Sequence, residues 1–158
     1  MLLRDGRGDF HGRQKAGPAV NAGGEGGCLC GAVRYRVTGE PVAATLCHCR
    51  SCRRASGGTN VAWAVFALTD FEWLWGFPAA YSSSPGLEWL FCRNCGSLVG
   101  YRRASRPDHM DVTIGTLDHP EHYPPTVEIW LEHRIHWEPL DPDLPKRERS
   151  SLNENDAA

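Results

Sequence analysis

Apolar and polar residues alternate along most of the middle of the chain. Val33, Tyr35 and Val37 alternate with Arg34, Arg36 and Thr38, the period of a strand with one wet face. Phe71, Trp73 and Trp75 repeat the pattern, as do Leu87, Trp89 and Phe91, then Met110, Val112 and Ile114, and finally Val127, Ile129 and Leu131. Asn60 to Ala67 is apolar on both faces and predicts a central strand. Only Arg50 to Ser56 predicts a helix, and a short one. Gly57-Gly58, Pro85-Gly86 and the stretch from Asp118 to Pro125 supply turns, and no fixed-length repeat is present. The expectation is a mainly β, mostly antiparallel fold with little helix. Residues 1–25 are glycine-rich with Phe10 their one aromatic, and residues 146–158 hold one leucine among small and charged residues. These compositions predict a flexible leader and a disordered charged tail around a domain at 26–145.

Composition narrows the function. At 158 residues one domain is expected, and the formal charge of −2 offers no basic excess to attract nucleic acid or an anionic membrane. The longest apolar run, Val61 to Leu68, is less than half of the roughly 20 residues a helical bilayer crossing needs. Arg4 and Asp5 follow Met1-Leu2-Leu3 directly and leave no room for the apolar core of a secretion signal. The expectation is a cytoplasmic protein with neither nucleic acid nor membrane as partner. Seven cysteines then stand out, because an odd number cannot all pair within the chain and a reducing compartment disfavours disulfides.

The cysteines fall into groups of two, three and two: Cys28 and Cys30; Cys47, Cys49 and Cys52; Cys92 and Cys95. A structural zinc takes four protein ligands in a closed tetrahedron, and a catalytic zinc commonly takes three and keeps a position for water or substrate. Two and two make the closed set, Cys28, Cys30, Cys92 and Cys95, and the remaining three make an open one. Cys92-Arg-Asn-Cys95-Gly has the spacing of a zinc knuckle; a redox dithiol of the same spacing normally opens a helix after a strand in an α/β setting, which is missing here. For Cys28 and Cys30 alone, inert buried thiols are the competing reading. For Cys47, Cys49 and Cys52 it is a second closed site completed by a histidine, with His48 nearest in sequence. An open three-thiolate zinc suits thiol chemistry better than hydration, since the soft metal favours an incoming sulfur. Beside it, Arg50, Arg53 and Arg54 are candidates to meet a substrate carboxylate, Arg53 and Arg54 foremost, or simply to solvate a helix face, and Ser83 and Ser84 offer hydroxyls in a stretch that otherwise reads as a plain turn.

These residues resemble the glutathione-dependent formaldehyde-activating enzymes, a family whose relatives include centromere protein V. The resemblance rests on CLCGAVRY, CHCRSCRRASGG, YSSSPG, FCRNCGS and WEPLDPDLP, in that order between Cys28 and Pro145. It implies a zinc-bearing fold of several coiled β-sheets and the same division of cysteines, with two Zn²⁺ per chain. It also implies a carbon-sulfur lyase-like activity in which glutathione and formaldehyde give S-hydroxymethylglutathione, Cys47, Cys49 and Cys52 holding the metal that receives the sulfur. The alternative it leaves open is a non-catalytic zinc-stabilised β-domain that binds another protein. The chain departs from the family pattern at Trp89, where an arginine is usual, and at Glu128 to Leu131 and Arg134 to Trp137.

Overall fold

The structure is a computed structural model and describes residues 23–149. Ten strands and one helix follow in chain order: β1 (Gly23–Gly27), β2 (Arg34–Thr38), β3 (Ala43–Cys47), α1 (Arg50–Ser56), β4 (Val61–Ala67), β5 (Phe71–Trp75), β6 (Ala79–Ser84), β7 (Leu87–Phe91), β8 (Leu98–Arg103), β9 (His109–Thr113) and β10 (Val127–Ile129). The mainly β expectation holds. A three-stranded sheet, β1-β2-β5, lies beside a seven-stranded sheet ordered β10-β3-β4-β9-β8-β7-β6. Every pairing is antiparallel except β10 on β3.

The apolar run of β4 is explained by its position third in the large sheet, with both faces covered. Ala64 and Phe66 on one face join Tyr35, Val37, Val99 and Val112 in the larger core. Val61 and Trp63 on the other face join Cys47, Cys52, Trp89 and Ile129 in a second apolar cluster. One strand thus serves the fold with one face and the candidate site with the other.

Several elements differ from the expectation, each for a local reason. β1 takes in residues 23–25, which composition assigned to a leader; residues 1–22 lie outside the described part. Its glycines are required by close packing, since a Cβ on Gly26 would lie 2.5 Å from the Tyr35 ring and 2.7 Å from the Thr116 carbonyl. At the other end, residues 146–149 run beside β10, with Arg147 N–H on the Glu128 carbonyl at 2.9 Å and Trp130 N–H on the Arg149 carbonyl at 2.7 Å; residues 150–158 of the expected tail lie outside the described part. The serine stretch is the edge strand β6, and its turn shrinks to Pro85-Gly86, with Gly86 at φ 76°. β10 stops at Ile129 because Trp130 enters the left-handed region. The alternation there also misreads Glu128, which is fully buried and accepts the Asp141 N–H at 3.0 Å.

Candidate functional site

Two knuckles bring the first sulfur set together. After Cys95, Gly96 turns at φ 76°, so that Gly96 N–H reaches the Cys92 carbonyl at 2.8 Å and Cys92 N–H reaches the Ser97 carbonyl at 2.9 Å. After Cys30, Gly31 at φ 75° donates to the Cys28 carbonyl at 3.0 Å. Both positions favour glycine for its tolerance of positive φ. Cys28 and Cys30 follow the small sheet's β1, and Cys92 and Cys95 lie between β7 and β8 of the large sheet. Their four sulfurs lie within 4.8 Å of one another, with Cys28–Cys30 at 3.6 Å and Cys30–Cys92 at 3.7 Å. A tetrahedral zinc with bonds of about 2.3 Å sets its sulfurs about 3.8 Å apart, so this donor set fits such an ion. All seven cysteines are free thiols. The Ser97 side chain, and then its backbone, lowers the Cys95 thiol to about 5.

The second set closes around the start of α1. Cys47 ends β3, Cys49 caps the helix with its sulfur on the Cys52 N–H at 3.2 Å, and Cys52 lies one turn in, 3.5 Å from Cys47. Gly57, left-handed at φ 74°, ends the helix after two turns. The three sulfurs again lie within 4.8 Å, and no histidine nitrogen joins either cluster among the described residues. Hydrogen bonds from Cys47 and then Cys52 hold the Cys49 thiol down to about 2. Cys47 is pushed up to about 12 by its bond to Cys49, and Cys52 is pushed up by its bonds to Cys47 and Cys49. Three thiols this close resist ionising together, and a soft cation that replaces their protons would relieve that.

His48, the nearest candidate fourth ligand, is engaged elsewhere. Its buried imidazole places Nδ1 3.1 Å from Glu138 Oε2, while Glu138 Oε1 accepts from Thr59 Oγ1 and Asn60 Nδ2. His48 thereby holds the loop between Cys47 and Cys49 through a side chain 90 residues away. The Trp-Glu-Pro-Leu motif signals Glu138, but no local pattern pairs it with His48.

The three-sulfur cluster opens on a cavity of about 620 Å³, whereas no cysteine of the four-sulfur cluster lines it. Trp63, Trp89 and Tyr101 form part of the wall, with the guanidinium groups of Arg50, Arg103 and Arg106 and the imidazole of His133. Arg106 Nη2 grips both oxygens of Asp111 at 2.9 Å, although burial raises the Asp111 carboxyl. Arg53 and Arg54, expected to meet a carboxylate, are absent from this wall; Arg50 and Ser51 line it, and the other two lie one helical turn, about 5 Å, further on. Ser83 Oγ accepts Trp89 Nε1–H at 2.9 Å and so acts behind the wall, and Ser84 is exposed on the edge strand. Sequence patterning missed Arg103 and Arg106, whose one signal is the basic run after Tyr101.

Comparison with known proteins agrees with this geometry. Residues 24–133 match the family model described as glutathione-dependent formaldehyde-activating enzyme. A Halomonas elongata protein whose name provisionally assigns it that activity is 30% identical over 125 residues, 72% of this chain and 78% of its own length. An uncharacterised lyase of Schizosaccharomyces pombe is 30% identical over 78 residues, 48% of this chain and 54% of its own length. A crystal structure of a Rhodobacter sphaeroides protein is similar with a TM-score of 0.50 at 30% identity, covering 60% of this chain and 87% of that one.

Proposed function

The chain belongs to the glutathione-dependent formaldehyde-activating enzyme family, and from that premise we propose that it is a zinc-dependent carbon-sulfur lyase-like enzyme acting on the adduct of a small thiol and an aldehyde. The observation that carries the reading is the difference between the clusters: all three cysteines of one set line the cavity of about 620 Å³, whereas of the four-cysteine set only Cys95 borders a second, more open hollow of about 500 Å³. Cys28, Cys30, Cys92 and Cys95 hold a structural zinc, and Cys47, Cys49 and Cys52 hold the reacting one, two Zn²⁺ per chain. Bound zinc supplies a lowered thiol pKa, and hence thiolate at neutral pH.

The chain's own residues do the rest. Arg103 and Arg106 line the cavity with side chains suited to a carboxylate such as those of glutathione, and each has an Nε buried without a partner. Trp63, Trp89 and Ile129 pack around Cys47 and Cys52 and keep water from the sulfur. The Glu138–His48 pair fixes the loop that carries Cys47 and Cys49. The thiol S–H adds across the aldehyde C=O: a carbon-sulfur bond forms, the π pair moves to oxygen, and oxygen gains the proton that sulfur loses. The cytoplasm, rich in reduced thiols, is the fitting compartment.

Cobalt substitution tests this reading, because cobalt bands report the sulfur count and geometry. Glutathione is expected to shift the bands of the three-sulfur site alone. Bands unchanged at saturating glutathione would overturn thiol binding and favour a zinc-stabilised domain for protein interaction.

A further inference from the structure

The cavity, about 620 Å³, is in the range of sites that enclose drug-sized ligands and has room for a thiol together with an aldehyde larger than one carbon. Its wall beside the three sulfurs is aromatic. Trp63 faces Thr45 across the β3–β4 pair, two residues from the level where Cys47 faces Val61, which is about 7 Å along the strand. Trp63 and Trp89 are 5% and 8% exposed. They meet each other and Tyr101 with centroids 4.7–6.3 Å apart and planes tilted by 51–55°.

Trp130 adds an independent observation. It follows Ile129, which pairs with Cys47, and lies at φ 62°, ψ 39°, the one non-glycine residue with positive φ among those described. A bulky side chain is a rare occupant of that region, and such strain persists where the surroundings hold it and concentrates at ligand sites. Hydrogen bonds from Trp130 N–H to the Arg149 carbonyl and from His133 N–H to the Trp130 carbonyl do the holding. The indole stacks on His133 at 5.9 Å and 11°, and both line the cavity. The cations lie at a different level: Asp111, which binds Arg106, faces Val65, four residues or about 13 Å along β4 from Val61.

We propose that the aldehyde partner carries a planar apolar group, such as an aryl ring, received by Trp130 and Trp63 beside the sulfur cluster, while the thiol's carboxylate reaches Arg103 and Arg106. This rests on the thiol–aldehyde reading above and specifies its substrate class. The bond changes are those already given, with the ring on the aldehyde carbon.

Titration of the zinc-loaded full chain with S-benzylglutathione and S-methylglutathione, followed by tryptophan fluorescence and calorimetry, tests the proposal without relying on turnover. The benzyl compound, which mimics an aryl aldehyde adduct, is expected to bind at least about tenfold tighter. Trp130→Gly removes the indole and suits the left-handed backbone, so it is expected to fold and to reduce that ratio at least about threefold. Trp63→Leu, read the same way, is the second variant should Trp130→Gly not fold. Equal binding of the two probes overturns the aryl proposal and leaves the thiol reading standing. A ratio unaffected by both folded variants also overturns it. If neither probe binds while glutathione shifts the cobalt bands, the aryl proposal alone falls; if the bands are also unmoved, both readings fall.

Discussion

At the scale of single residues, the three-cysteine cluster depends on side chains outside it. Glu138 is 7% exposed and receives three hydrogen-bond donors, from His48, Thr59 and Asn60. Glu138→Ala would leave the fully buried His48 and the half-buried Thr59 and Asn60 without their partner, and at roughly 1 kcal/mol or more for the buried orphan and less for the other two the loss is expected to be about 2 kcal/mol. Urea unfolding measures it; a loss below about 1 kcal/mol would show that water replaces the carboxylate freely. The same variant is expected to release zinc loaded at Cys47, Cys49 and Cys52 faster, since the hydrogen bond that fixes His48, and with it the loop between Cys47 and Cys49, is gone. Trp130 makes the opposite bargain, holding a conformation that costs about 1–3 kcal/mol to place an indole in the cavity wall.

At the scale of elements, packing tolerance separates glycines that composition treats alike. Gly26→Ala is expected to cost about 1–3 kcal/mol by driving β1 from Tyr35, whereas Gly115→Ala, with open space around its Cβ position, is expected to stay within about 0.5 kcal/mol. Thermal melts of the two variants decide; similar shifts would place β1 more loosely. Arg34 on β2 pairs with both oxygens of Asp118, and this bond holds the Asp118 carboxyl below its ordinary value. A depressed folded pKa means that the contribution is complete above the unfolded value of about 3.9 and is lost as pH falls through the folded one. With Asp118 42% exposed, it is worth at most about 1 kcal/mol. Asp118→Asn is therefore expected to lower neutral stability slightly and flatten the acid limb below about pH 4; parallel acid limbs would remove the pair from the account. What was legible in sequence follows the same division. β2, β4 and β7 announce themselves because burial on one face, or on both, leaves a periodic trace; β5 shows the period with Phe71 and Trp73 half-buried and Trp75 exposed. β1 and β6 leave none, since glycine has no side chain to pattern and an exposed edge strand has no buried face. The partition of sulfurs was legible by ligand counting. The cavity wall was not, because Arg103, Arg106, Asp111 and Trp130 come to one cavity through the non-local strand order β10-β3-β4-β9-β8.

At the scale of the whole molecule, the two sulfur clusters constrain different things. Cys28 and Cys30 lie in the turn that joins two strands of the small sheet, and Cys92, 62 positions beyond Cys30, lies with Cys95 between two strands of the large one. An ion held by all four joins the sheets across a long loop, so its binding free energy is also folding free energy. Cys47, Cys49 and Cys52 span five positions at the end of β3 and the start of α1, beside strands already held by backbone pairing. Losing their ion empties a cavity wall without separating the sheets. Chain purified without chelator is accordingly expected to hold two zinc equivalents. A chelator should remove the first with little change in circular dichroism and the second only together with unfolding. Cys49→Ser should remain folded with one zinc, while Cys92→Ser should melt lower by on the order of 10 °C or more, several kcal/mol at this chain length. Loss of both ions in one step with equal collapse of the two variants would make both clusters structural, and the cavity would then need another explanation.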